Sequence, residues 1–541
     1  MLASSLRLAA LSLLPSVAFG AQVVFNLDIV NTQLAPDGFV RDTVVPNGTF
    51  PGPTFMVNKG DSVVIHTHNK LTDPLMRRST SIHWHGFFQA RTSGMDGPSY
   101  VIHNVGMFVP NHAPFSETLP DDQCPIAPGA TFDYVFDTAG QTGNYWYHSH
   151  LSTQYCDGLR GAFVVYDPDD PLKDLYDVDD GNTIITLGEW YHVLAPAGQD
   201  SFFKTGIVPV QDSGLINGVG RYEGGPLVPY AVITVKQGLR YRFRVFSISC
   251  RPFMTLSFDN HTFDVIELDG VEHDPVAFQN ADIYAAQRLS IVLNANQSID
   301  NYWIRAPPTG GSPANNPNFN PNLTLAILRY EGAPDVEPTT VDVPGLKMDD
   351  SLMHPIASEG PGDLGSGPAD FSMVLNIAQP NPPFFDINGI SYLSPSLPVL
   401  LQLLSGAAKP TDLLPSEQVI ILPSNSIIDI SIPGTGAHPF HLHGHNFDVI
   451  LESNAVTPNF VNPPRRDVTP INGGNTTFRF FSGNPGAWFL HCHIDWHLEA
   501  GLAVVFGESP AANIAGNQSQ IVQPDWKQLC PDYDALEPEF Q

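Results

Sequence analysis

Positive charge is scarce in this chain. Only 25 lysines and arginines stand against 55 aspartates and glutamates, for a formal net charge of −30. Nucleic-acid binding rests on clustered cations that neutralise phosphates, so that class of function is set aside; charge at this level governs solubility and repulsion rather than fold. Long apolar runs are also missing. The N-terminal run that ends at Leu14 is too short to cross a bilayer, and no later stretch reaches the roughly 20 apolar residues that spanning requires. With one early Arg7, that short run and the small-residue break at Ala18-Phe19-Gly20, residues 1–20 read as a secretory signal peptide, and a mature, secreted chain is expected from about Ala21. Extended helix is disfavoured by 50 prolines and 45 glycines. Cysteine is limited to five, and an odd number in an exported chain leaves at least one thiol unpaired.

Short runs rich in Val, Ile, Phe and Thr recur between Pro, Gly and Asn. They include Asp61–Thr67, Thr131–Phe136, Gly161–Tyr166, Thr183–Leu187, Ala231–Val235, Arg240–Phe246 and Ser426–Ile432. The spacing predicts an all-β chain of Greek-key sandwiches or barrels. A length of 541 residues suggests about three domains. Acidic, loop-like stretches at Tyr166–Asp180 and Glu331–Pro361 place them at 21–170, 171–340 and 341–541. Six Asn-X-Ser/Thr sites, at Asn47, Asn260, Asn296, Asn322, Asn475 and Asn517, are candidate glycan acceptors behind a signal peptide.

Ten of the 19 histidines fall in four short clusters. These are His83-Trp84-His85-Gly86, His148-Ser149-His150, the run from His438 through His441 and His443 to Gly444, and the run His491-Cys492-His493 with His497. In a strand, residues two apart share a face, so each His-X-His aims two imidazoles at one cavity. One such pair indicates no more than a possible site for zinc, copper, iron or nickel. His66-Thr67-His68 is a pair of that kind, and it reads as surface or half-buried residues without a metal. Four clusters together with an unpaired cysteine say much more. Alternation around His491-Cys492-His493 sends the thiol to one side and both imidazoles to the other. One Cys with two His is the blue-copper donor set, and His438 and His497 are placed to complete it. The imidazoles of His491 and His493 then face a second site one residue away, so an electron reaching Cys492 has a short covalent path onward. Zinc, which has no redox chemistry, would have no use for that wiring.

Here the chain resembles the fungal (basidiomycete-type) laccases among the multicopper oxidases. The four signatures stand in that family's order, and the resemblance covers essentially the whole mature chain. It implies three cupredoxin-like β domains and four copper ions. The type 1 copper would take His438, Cys492 and His497; the type 2 copper His83 and His441; the type 3 pair His85, His148, His150, His443, His491 and His493. Leu502 stands at the axial position, where it offers the copper no donor atom and should raise its potential. The resemblance also pairs Cys124 with Cys530 and Cys156 with Cys250, leaving Cys492 free. Asp96 matches an aspartate on the solvent route to the type 2 copper and is a candidate proton donor, although Asp96-Gly97 also reads as a turn. Asp495 is a candidate for orienting a histidine, and His445 reads as packing or support. The implied reaction is one-electron oxidation of phenol-like or aromatic donors, with dioxygen leaving as two waters. No nucleic acid or membrane partner is expected, and a monomer is. Two alternatives stay open: a metallo-oxidase such as a ferroxidase, and a copper-binding protein without turnover.

The chain departs from its relatives at two places. Arg251 follows Cys250 where many relatives carry an acid that hydrogen-bonds the donor, and an arginine cannot take a proton at working pH. It is read either as a substrate-pocket residue or as a surface arginine. Secondly, the 21 residues Ile102–Asp122 separate segments that run almost directly together in the family. They lack strand alternation, caps and glycine turns, and a structureless loop of that length is improbable in a compact domain. They are expected to be a short intron retained in translation, the other reading being a genuine lid over the solvent channel.

Overall fold

A computed structural model describes residues 20–98, 101, 125–356, 364–395, 397–413, 418–434 and 436–536. Strand dominates, and each of the seven strands expected above is present to within three residues at either end. The largest extension carries Ile184–Trp190 beyond Leu187, because Gly188, Glu189 and Trp190 pair with Ser213–Leu215 and are themselves buried.

One pattern is built three times. Each third of the chain supplies two open sheets of four or more strands, each with one parallel pair among antiparallel neighbours, and the last third adds a two-stranded antiparallel sheet of Ile377–Asn381 with Phe384–Ile387. The pairs are Gln22–Leu34 with Ser62–Asn69 and Phe55–Asn58 with Arg160–Tyr166 in the first third. In the second they are Arg240–Ser247 with Ile184–Trp190 and Val232–Val235 with Leu325–Tyr330. In the last they are Phe371–Val374 with Ile427–Pro433 and Val419–Leu422 with Ala503–Glu508. A parallel pair needs a crossover between sheets, which is how a Greek-key sandwich is closed. Between barrel and sandwich, the open sheets decide for the sandwich.

The middle third has an apolar core of its own, around Phe243, Leu256, Ile291 and Leu328. The first and last thirds share theirs: Trp84, Tyr134 and Phe163 belong to one cluster with Leu400, Leu403 and Phe489. A second cluster joins Trp146 and Val164 to Phe440, Trp488 and Leu490. The histidine motifs lie along this seam. The strap at 347–355 crosses back to the middle third, bridging Lys347 to Asn280 and Pro355 to His273.

Candidate metal centres

Two hairpin registers assemble the first centre. Ile82–His85 pairs with Gly143–Ser149 so that His83 faces His148. His438–Leu442 pairs with Gly486–Cys492 so that His441 faces His491. His150 and His493 follow directly after these strands, and the seam brings eight imidazoles from the two ends of the chain into one buried cavity.

Seven of these rings have the following rear partners. His83, His441, His148 and His491 donate Nδ1–H to the backbone oxygens of Asp96 (2.7 Å), Asp467 (2.9 Å), Ser149 (2.9 Å) and Cys492 (3.0 Å). His443 donates Nδ1–H to Asp96 Oδ2 at 2.8 Å. His493 Nδ1 lies 3.2 Å from the Tyr155 hydroxyl, which lies 3.3 Å from Ser249 O. His85 is turned the other way, with Nε2 directed at Asp467 Oδ1 at 3.4 Å. A rear N–H fixes the tautomer, so the front nitrogen carries a lone pair.

Five front nitrogens have no hydrogen-bond partner. Nε2 of His83, His148, His441 and His493 and Nδ1 of His85 are buried without a hydrogen bond. The Nε2 atoms of His443 and His491 stand 3.1 Å apart, and those of His150 and His491 3.4 Å. Lone pairs this close repel unless a cation lies between them, and buried polar atoms left unpaired are costly. Burial, reinforced by neighbouring imidazoles, also holds the rings neutral. His85, His148, His150, His441, His443 and His493 lie well below the usual histidine range, and His491 is pushed down to about 3. Neutral imidazole is the metal-binding form. Ligating nitrogens cluster as His83/His85/His148, His83/His441/His443 and His150/His443/His491, each set within 4.8 Å.

The second centre lies on the other side of Cys492. Its Sγ is 3.6 Å from His438 Nδ1 and 3.8 Å from His497 Nδ1, and the two nitrogens are 3.2 Å apart. Burial lowers His438 to about 4, sends His497 well below its usual value and raises the Cys492 thiol. In such surroundings a thiolate requires a bound cation. His438 and Cys492 are buried, whereas His497 is half-buried. Leu502, fully buried, accepts from the Cys492 N–H at 3.1 Å and donates its own to His497 O at 3.1 Å. The residues of both centres thus fit copper by donor type, protonation and unpartnered atoms.

Around these sites the structure sorts the remaining candidates. Asp96 is fully buried between His83 and His443, and burial raises its carboxyl. Cys156 is bonded to Cys250. The pairing of Cys124 with Cys530 lies outside the described residues, as does Ile102–Asp122. Asp495 orients no histidine among the described residues; its backbone N–H donates to Cys250 O at 3.0 Å. That work falls to Tyr155 and Asp467, which no local signal marks: Asp467 lies 26 residues beyond the histidine whose ring its backbone holds. His445 donates Nδ1–H to His443 O and meets Glu508 at 3.0 Å, the supporting position expected of it. His66 and His68 pair with Asp133 and Asp28 at the surface. Arg251 is half-buried and donates Nη1–H to Pro209 O at 2.7 Å, near enough to His497 to depress its basicity. All six Asn-X-Ser/Thr asparagines are exposed.

Family models described as "Multicopper oxidase" match residues 181–333 and 392–512, and a third matches the first segment in two pieces, 28–107 and 101–170. The chain is 68% identical over 517 residues to Laccase-2 of Agaricus bisporus, covering 96% of both chains. To Laccase-4 of Trametes villosa it is 47% identical, covering 95% of this chain and 94% of that one. Among solved structures, a laccase from Botrytis aclada superposes with a TM-score of 0.80 at 29% identity, covering 96% and 93%. Fet3p, a multicopper oxidase that functions in iron import, superposes with a TM-score of 0.79 at 26% identity, covering 95% of each chain. The chain belongs to the multicopper oxidase family. Its activity is that of a laccase, with phenolic donors and dioxygen as substrates and four copper ions as cofactor.

Proposed function

We propose that the two centres divide this reaction between them. His438, Cys492 and His497 would hold the type 1 copper, with Leu502 as the axial residue that donates nothing. His83 and His441 would hold the type 2 copper, and His85, His148, His150, His443, His491 and His493 the type 3 pair. Copper, when bound, supplies one-electron acceptance at the first centre and four-electron reduction of dioxygen at the second. The observation that carries the assignment is the set of five buried, unpartnered ring nitrogens, each on an imidazole fixed from behind.

The chain's own groups do the rest. The half-buried His497 is the edge that a donor reaches, and the single peptide steps from Cys492 to His491 and to His493 join the centres covalently. Asp96 holds His443 and stands beside His83, where a carboxyl raised by burial can pass protons inward. Arg251 lies at the rim with no carboxylate partner among the described residues, and so adds positive charge to the donor pocket.

The domains are placed at 21–170, 171–340 and 341–541, supported by sheets that each stay within one third of the chain. Secretion after removal of residues 1–20, a monomeric state and glycans on the exposed asparagines complete the reading; among the described residues no helix is long and apolar enough to cross a membrane. Ile102–Asp122 is read as a retained intron because it lacks strand alternation, caps and glycine turns; the family match of the first segment breaks into two pieces that overlap at 101–107. A peptide spanning Phe108–Phe115 from active secreted enzyme, detected by mass spectrometry, would overturn that.

Oxygen uptake by the copper-loaded protein, against phenols, anilines, ascorbate and ferrous iron, tests the donor class. Uptake with phenols at four electrons per dioxygen is expected, and uptake with iron alone would replace laccase by ferroxidase activity.

A further inference from the structure

The middle third contributes none of the eleven proposed copper ligands, yet it reaches the cluster through one side chain. Arg288, in the strand Arg288–Asn294, is fully buried. It donates Nε–H to Asn144 O of the first third at 2.9 Å. Nη1 donates to Ala286 O at 3.2 Å and to Asp467 Oδ1 of the last third at 2.6 Å. Nη2 donates to Asp269 O at 3.2 Å and to Asp467 Oδ2 at 2.8 Å. All five N–H groups are used across three thirds of the chain, with a two-pronged fork on one carboxylate.

That carboxylate is the one facing the cluster. Asp467 Oδ1 lies 3.4 Å from His85 Nε2, and its backbone oxygen accepts from His441 Nδ1 at 2.9 Å. The rings of His85 and His441 stack with centroids 3.8 Å apart. Asp269, also of the middle third, braces the residues on either side of Asp467, accepting from Arg466 Nε at 2.9 Å and Val468 N at 3.2 Å. Gly86, directly after His85, adopts φ +94°, and a Cβ there would lie 2.5 Å from Arg288 Nη2 and 3.0 Å from Asp467 Oδ2. The glycine of the first histidine motif therefore leaves room for the fork to close against His85.

We propose that the Arg288–Asp467 fork is a positioning device through which the middle third sets the copper affinity of the cluster. A carboxylate gripped at both oxygens cannot rotate, so His85 keeps Nε2–H turned to Asp467 and presents Nδ1, and His441 is held by the same residue's backbone. Arg288 touches neither copper nor substrate and acts only through Asp467. The inference rests on the proposed assignment of His85 and His441 as copper ligands.

The test uses full-length Asp467→Asn, Arg288→Lys and His85→Ala beside the unaltered chain. Copper per chain is measured during titration with a competing chelator, and the blue absorption of the Cys492 centre serves as an internal control. Asp467→Asn leaves the arginine's bonds to Asn144, Ala286 and Asp269 in place, so it decides the matter even if Arg288→Lys does not fold. Asp467→Asn is expected to weaken cluster copper by about 10- to 100-fold while the blue band holds, with Arg288→Lys, which keeps the charge but loses the fork, weakened less. Asp467→Asn with unaltered copper affinity, or with blue band and cluster copper lost in parallel, overturns the fork as a positioning device while leaving the ligand assignment standing, provided His85→Ala loses cluster copper. Full copper in His85→Ala overturns the assignment, and the inference with it.

Discussion

The two candidate copper centres differ most in what stands behind their proposed ligands. In the cluster, seven imidazoles are pinned by a backbone oxygen, a carboxylate or a phenol, in a buried cavity. At the Cys492 centre the Nδ1 atoms face inward, and among the described residues no hydrogen bond holds Nε2 of His438 or His497; packing by Phe385, 5.7 and 4.9 Å from the two rings, takes that part. On the proposed assignment, the site that would gather four electrons is prearranged at many points. The site proposed to take electrons from the donor keeps one ring, His497, half-buried and has less rear support there.

The largest effect expected from this contrast is that of Cys492→Ser. Blue colour and phenol oxidation should be abolished while the cluster, whose rings have their own supports, keeps its copper; metal analysis and visible absorption read both together. Phenol turnover at a rate comparable to the parent's would break the wiring between the centres, and loss of all copper would break their independence. Next comes Tyr155→Phe, which removes the rear partner of His493 and nothing from the Cys492 centre. Cluster copper affinity should fall by about tenfold, the low end for a supporting residue, with the blue band unchanged in the same chelator titration. An equal fall at both centres would show that rear support does not distinguish them. The smallest effect belongs to the open edge. Arg251→Asp should raise KM for carboxylate- or sulfonate-bearing donors relative to neutral phenols by about 0.5–1 kcal/mol, the range for a half-exposed charge. Equal KM changes for the two donor types in steady-state oxygen uptake would return Arg251 to the surface.

The contrast also marks how far sequence alone could be read. Strand alternation and the unpaired cysteine made the ligand faces legible, because donor type and spacing are local properties of His83-Trp84-His85 and His491-Cys492-His493. The supports were not local. Asp467 reaches His85 across 382 positions of sequence, and Tyr155 reaches His493 across 338, so nothing near either residue announced them. Asp495, close to the ligands in sequence and a natural candidate to orient one, instead has its backbone drawn to Cys250 beside the disulfide. Nor could composition show that the middle third, without a ligand of its own, would reach the cluster through Arg288.

The seam between the first and last thirds has a consequence for the protein's biogenesis. His83 leaves the ribosome more than 400 residues ahead of His497, and domains fold in the order of synthesis. For most of that interval half of the cluster exists without its other half, in a strand pair whose imidazoles have nothing to grip. The complete ligand set therefore comes together only after the final strand has closed the seam, when most of the chain has already been made.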